Sequence, residues 1–389
     1  MKTQIAIIGG GPSGLLLSQL LNRAGVETVV LERTSRSHVL SRIRAGVIES
    51  GAVDVLREAG VGARMDREGI PHEGCYLSDD ELMVRINFHE LTGKKVMVYG
   101  QTEVTADLYD AQDAMGSTII HGVENVEISD LDTETPFVEY TKDGVRQRLD
   151  CAYVAGCDGF HGVSRKTIPE EKRREFERVY PFGWLGVLSR TPPANDELIY
   201  ANSRNGFALA SMRNKMLSRY YVQVPLTDKV EDWTDERFWD KLKSCLPSET
   251  AATMATGPSI EKSIAPLRSF VNEPLRWGRL FLVGDSAHIV PPTGAKGLNL
   301  AVSDVHYLYH ALVDAVKTGS ETGIDEYSER ALKRIWSAMR FSWQMTTMMH
   351  QFQGEDSFAA QMRKSTLMHL SQSETARREF AENYIGLPY

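Results

Sequence analysis

Gly9-Gly10-Gly11-Pro12-Ser13-Gly14 satisfies the pattern G-x-G-x-x-G, and Glu32 stands 18 residues after Gly14 at the end of an apolar run. Around it, residues 4–8 read as a strand, 12–24 as a helix stopped by Gly25, and 28–31 as a second strand, which together make one βαβ unit. Each glycine has a separate task in that unit. Gly9 allows the tight turn, Gly11 lets a pyrophosphate approach the backbone, and Gly14 lets the helix pack closely on the strand. The helix N-terminus adds partial positive charge, and Glu32 is placed to accept hydrogen bonds from ribose hydroxyls. These residues point to a bound dinucleotide without deciding between FAD and NAD(P).

Outward from this unit, the 389-residue chain is longer than a single core usually grows, so more than one packed unit is expected. With 42% hydrophobic and 25% charged residues it belongs to the globular range. No apolar stretch approaches the roughly 20 residues of a bilayer span, and a formal net charge of -8 argues against nucleic acid as a partner. Cys75, Cys151, Cys157 and Cys245 form no C-x-x-C pair, and no metal ligand set is read. Sparse thiols and the short apolar run before the glycines lead to the expectation of a cytoplasmic protein. Residues 207–213 and 219–224 read as strands of an antiparallel sheet, whereas 298–317 and 324–349 read as helices. The fold class expected is α/β (α+β overall): a Rossmann-like domain with its βαβ unit, a second domain built on an antiparallel β-sheet, and C-terminal helices.

Two more segments narrow the nucleotide. Cys157-Asp158-Gly159-Phe160-His161-Gly162-Val163-Ser164-Arg165 follows an apolar run, and Gly278 to His288 contains a strand ending in Gly284-Asp285. With the first loop, these resemble the three fingerprints of the flavin-dependent aromatic hydroxylases. The resemblance extends over essentially the whole chain, through residues 42–47, 99–104, 177–186, 291–300 and 382–384, and is closest to the members that act on 4-hydroxybenzoate. It implies residues 1–175 as an FAD/NADPH domain, with 72–100 lending strands to a substrate domain at 176–270, and 271–389 returning to the FAD domain before a helical interface region. It also implies a homodimer. The FAD contacts it implies are Gly9, Gly11, Ser13, Gly14, Glu32, Arg42, Arg44, Gln101, Asp158, Arg219, Asp285, Leu298 and Asn299. The reaction it implies uses NADPH and O2 through a flavin C4a-hydroperoxide, and converts 4-hydroxybenzoate to 3,4-dihydroxybenzoate. Hydroxylation of another hydroxybenzoate, or an FAD-binding redox sensor without catalysis, are the alternatives.

The residues also speak for themselves at two places. The loop Pro291-Pro292-Thr293-Gly294-Ala295-Lys296-Gly297 opens the helix expected from Leu298. It reads either as an ordinary N-terminal turn or as a set of N–H groups, with Lys296, aimed at the negative edge of a reduced flavin. In the expected hairpin, Ser211, Arg213, Arg219 and Tyr221 share one face, which is either solvated or built to hold a carboxylate in an arginine fork with hydroxyl donors. The resemblance assigns Ser211, Arg213 and Tyr221 to a substrate carboxylate, Tyr200, Tyr384 and the Pro292 carbonyl to its phenol, and His72 to the solvent end of a proton relay. A second G-x-G-x-x-G is lacking, so a pyridine nucleotide has to dock transiently. The basic cluster Arg33, Arg36, His38, Arg42 and Arg44 suits phosphates, and the resemblance adds His161 and Arg268. Thr34 and His38 replace the Gln and Tyr of strictly NADPH-dependent members, so NADPH over NADH is the weaker part of that expectation.

Overall fold

The computed structural model describes residues 1–41, 46–386 and 388–389. Strand Ile5–Ile8 lies inside a six-stranded sheet ordered Arg276–Trp277, Leu280–Leu282, Tyr153–Gly156, Ile5–Ile8, Thr28–Glu32, Thr118–His121. All pairings are parallel except that of the first two strands. Ile5, Ala6, Ile7 and Ile8 are all buried, as in a parallel strand covered on both faces. Helix Pro12–Arg23 covers one face through Leu15, Leu16, Leu17, Leu20 and Leu21. The βαβ reading thus holds, with boundaries moved by one residue.

An eight-stranded sheet forms the second layer, in the order His288–Ile289, Ser259–Glu273, Arg174–Ser189, Leu217–Pro225, Gly206–Asn214, Ile199–Ser203, Gly74–Asp79, Leu82–Asn87. It is antiparallel apart from the pairing of Ile199–Ser203 with Gly74–Asp79. The expected hairpin is Gly206–Asn214 against Leu217–Pro225, with Leu209 opposite Tyr221 and Ser211 opposite Arg219. The division points read near 175 and 270 both fall inside long paired strands, Arg174–Ser189 and Ser259–Glu273. Their register breaks between Val179 and Gly183. One end of the pair joins the nucleotide-side core through Val271, and the other joins the cores of the large sheet through Tyr180 and Leu185. The chain changes layer within strands rather than through a linker.

The C-terminal helices are Gly297–Thr318, Thr322–Met349, Ser357–Gln372 and Glu374–Ile385. Asp356 and Ser373 cap the last two by accepting from the Ala359 and Ala376 N–H groups. The last helix carries Phe380, Ala381, Tyr384 and Ile385 into the core beneath the large sheet. No helix among the described residues is long and apolar enough to cross a membrane.

Candidate active site

The three motif loops meet at the carboxyl ends of the parallel strands. Gly9, at φ +108°, lies so close to the second loop that a Cβ there would sit 2.3 Å from the Cys157 carbonyl. A Cβ on Gly284 would sit 2.8 Å from Ser13 Oγ, and one on Gly14 would sit 2.0 Å from the Gly9 carbonyl. Gly11 differs: a Cβ there meets nothing within 4 Å, so the backbone faces open space beside the helix N-terminus. A cradle of bare backbone N–H groups with room above it fits a pyrophosphate. Glu32 lies at the end of its strand, where Oε2 accepts from Gly10 N–H at 2.7 Å and Oε1 accepts from Thr34 N–H and Oγ1–H. Those bonds fix the carboxylate and leave acceptor capacity for a ribose.

Asp285 is exposed in the turn Gly284–Ser286, at the mouth of this groove. Asp158 faces inward instead: its Oδ2 accepts from Ser164 N–H and Oγ–H, so it braces its own loop. Arg165 then joins the second loop to the third, donating to the carbonyls of Phe160 and Ser286. Gln101 opens helix Gln101–Met115, half-buried. Arg42 and Arg44 lie outside the described residues. The helix Gly297–Thr318 starts with free N–H groups and no acidic residue in its first turn. Leu298 is half-buried there, and the Asn299 side chain is occupied, donating to the Val47 and Ala295 carbonyls and accepting from Glu49 N–H.

The reading of Lys296 as a free cation for the flavin is corrected. Lys296 is buried, and its Nζ donates to Glu49 Oε1 at 2.6 Å and to the Tyr384 carbonyl at 2.8 Å, while Arg334 holds Glu49 from the other side at 2.9 Å. Burial pulls the ammonium below its ordinary range, and Glu49 opposes that shift. Its charge is compensated within the protein.

A second cavity lies against the hairpin face. It is lined by Trp184, Tyr200, Ser211, Arg213, Tyr221 and Pro292, among others, so a cation, three hydroxyls and an indole converge on one space. The Arg213 guanidinium is held beside the Tyr221 phenol; burial lowers its affinity for a proton, and Tyr221 works against that. Two parts of the hairpin reading change. Arg219 forms an ion pair with Glu261 at 3.1 Å and does not line the cavity, so the face presents one cation rather than two. Ser211 lines it, but its hydroxyl donates to the Arg219 carbonyl at 2.6 Å and has to rotate to donate to a ligand.

Tyr200 and Tyr384 are buried with their hydroxyls 2.8 Å apart. Burial pushes both phenols up from their usual range, so both keep their protons at neutral pH. Residues 200 and 384 come from a central strand and the last helix, and Phe88 stacks on Tyr384 at 4.7 Å. The Pro292 carbonyl accepts from Ala295 N–H at 3.0 Å and keeps one lone pair. His72, expected at the solvent end of a proton relay, ends strand Ile70–His72 and is 2% exposed, and neither ring nitrogen has a hydrogen-bond partner. Burial lowers its pKa against the pull of Glu197 and Asp196.

Of the basic cluster, Arg33 and His38 are exposed, whereas Arg36 is bound to Asp110 and Asp113 at 2.8 and 2.5 Å. His161 and Arg268 flank the same ring: His161 packs edge-on to Phe160 at 5.0 Å and Arg268 lies 4.5 Å over it. Trp184 and His350 were not read from the sequence. Trp184 lines the cavity and donates through Nε1 to His350 Nε2 at 2.7 Å, while His350 Nδ1 bonds the Thr346 carbonyl, which fixes the tautomer. The only signal for Trp184 was its place in the matched stretch 177–186.

Residues 2–342 match the FAD binding domain family. The chain is 52% identical over 390 residues to the p-hydroxybenzoate hydroxylase of Acinetobacter baylyi, covering 100% of this chain and 96% of that protein. It is 24% identical over 343 residues to the para-nitrophenol 4-monooxygenase of Pseudomonas sp., covering 83% and 81%. Its fold superposes on the crystal structure of p-nitrophenol 4-monooxygenase from Pseudomonas putida with a TM-score of 0.85 at 19% identity, over 99% of both chains.

Proposed function

Because the chain belongs to the FAD-binding monooxygenases, we propose that it hydroxylates 4-hydroxybenzoate to 3,4-dihydroxybenzoate, using NADPH and O2. The observation that carries this is a cavity with Arg213 and Tyr221 on its hairpin wall and Tyr200, bonded to Tyr384, in the same lining. 4-Hydroxybenzoate has two polar ends, and this cavity offers a cation to one and a hydroxyl to the other. FAD, which the Gly9–Gly14 turn, Glu32 and Asp285 would hold, would supply the hydride acceptance and the oxygen transfer.

The protein's residues do the rest. Arg213 takes the carboxylate as a bidentate partner, with Tyr221 and a rotated Ser211 donating to it. Tyr200 accepts the hydrogen bond of the substrate phenol and passes proton density to Tyr384, so the phenol gains the phenolate character that makes its ring nucleophilic. His72 terminates the relay in this reading, through water admitted to its buried ring. Trp184 closes one wall of the cavity. Arg33, His38, His161 and Arg268 receive the pyridine nucleotide, and the exposed Arg33 supports NADPH over NADH.

The protein works as a homodimer in this reading, and exposed Trp336, Trp343, Phe358 and Met362 on the C-terminal helices support it. Four free, buried cysteines fit a reduced cytoplasmic setting. The test is NADPH oxidation by the FAD-loaded protein with and without 4-hydroxybenzoate, with product analysis. Stimulation by salicylate or 3-hydroxybenzoate in its place would assign a different substrate, and no stimulation by any of them would leave the sensor reading.

A further inference from the structure

Helix Ser50–Glu58 packs on helix Gly297–Thr318 and ends near its middle. His306 and His310 are one turn apart on the second helix, so they share a face, and Glu58 at the end of the first helix faces them. Ligand atoms of Glu58, His306 and His310 all lie within 4.8 Å of one another, the one such grouping among the described residues. We propose that these three side chains form a binding site for a divalent transition metal, zinc by preference, which ties the two helices together.

The donor set is two imidazoles and one carboxylate, the chemistry that suits zinc. Zinc bonds of about 2.0–2.2 Å need donor atoms nearer one another than 4.8 Å, and exposed Glu58 and His310 have the freedom to close that distance by rotating. Three protein ligands leave one position for water. His306 is the less mobile member: its ring packs on His310 at 4.7 Å and on Tyr389 at 5.2 Å, and its Nδ1 is buried without a hydrogen-bond partner. Arg330 and Arg334 lie near enough to act on the charge of this ring, and a metal takes the neutral imidazole.

The same arginines oppose a cation. Arg334 is paired with Glu49, and Arg330 sits 4.5 Å over the Tyr307 ring, which leaves Glu58 as the compensating charge at the site. Binding in the micromolar range is therefore expected rather than the tighter binding of a structural zinc site. The proposal stands apart from the flavin chemistry, since none of the three residues lines the cavity or the dinucleotide groove.

The experiment is calorimetric titration of zinc chloride into chelator-treated, FAD-loaded protein at pH 7.5. One equivalent should bind and raise the thermal midpoint. His310→Ala should weaken that binding at least tenfold and abolish the thermal shift, and Glu58→Gln should weaken it severalfold. Both positions are exposed, and an unchanged flavin spectrum and metal-free midpoint would show that the variants are folded. Absence of stoichiometric binding, or binding undiminished in His310→Ala, would overturn the site.

Discussion

Arg213 and Tyr200 each make a claim that a single substitution can test. An ammonium is a point charge and lacks the planar fork that meets both oxygens of a carboxylate. Arg213→Lys is therefore expected to weaken 4-hydroxybenzoate binding by at least tenfold, read from the perturbation of flavin absorbance on titration. Undiminished affinity would remove Arg213 from the site. Tyr200→Phe keeps the ring in its buried place and deletes the hydroxyl that bonds Tyr384. NADPH should still be consumed when substrate is present, but 3,4-dihydroxybenzoate formed per NADPH should fall severalfold, with hydrogen peroxide making up the difference. A ratio equal to that of the parent protein would show that the hydroxyl pair has no part in activating the phenol. These residues were legible in the sequence because a family pattern carried them, not because their surroundings were. The partners of Lys296, Arg219 and Ser211 were hidden, since Glu49, Glu261 and the Arg219 carbonyl meet them only in the folded chain.

Two glycines of one turn separate folding from binding at the scale of the βαβ element. A methyl group on Gly14 would be 2.0 Å from the Gly9 carbonyl, so the helix has to move off the strand. On Gly11 the same group meets no protein atom within 4 Å, yet occupies the space over the N–H groups. Gly14→Ala should lower the thermal midpoint of the FAD-free protein by several degrees. Gly11→Ala should leave that midpoint within about a degree and reduce FAD affinity at least tenfold, measured by flavin fluorescence quenching. A Gly11→Ala protein with parental FAD affinity would contradict the close approach assigned to that residue. The element itself was fully readable, because glycine spacing and apolar runs are local properties. The long strands Arg174–Ser189 and Ser259–Glu273 were not, because their shared path between layers depends on pairing across about 90 residues.

Buried histidines give the whole molecule an acid-sensitive stability. His350 is stacked on Phe182, Trp184 and Phe207, and burial holds its pKa down to about 3. His306 is held at about 4, and His72 is also lowered. Below the unfolded value near 6.5 the unfolded chain binds protons that the folded chain refuses, so stability falls as pH falls. His288, raised by Asp304 against its burial, has the opposite sign: its contribution is present below the unfolded value and is lost as pH rises through the folded one. For His350 alone the loss between pH 7 and pH 5 is about 2 kcal/mol. His350→Gln should flatten the pH dependence by about that amount, compared by urea unfolding of the FAD-loaded proteins at the two pH values. Equal slopes for parent and variant would mean that His350 takes up its proton while folded.

Local chemistry determined the dinucleotide turn, the helix and strand that flank it, the hairpin and the long C-terminal helices, since each rests on residues within a turn or two of one another. The order of motifs along the chain was enough to place it among the flavin-dependent hydroxylases. Tertiary structure alone decided which charges are free. Lys296, Arg219 and Arg36 read as available cations in sequence, and folding gives each an acidic partner 42 to 247 residues away in the sequence. It also decided that His72 is buried, that Trp184 is held by His350, and that Glu58 reaches two histidines on another helix. A charge or a ring nitrogen has a chemical role only relative to its neighbours, and those neighbours are set by packing between elements rather than by adjacency along the chain.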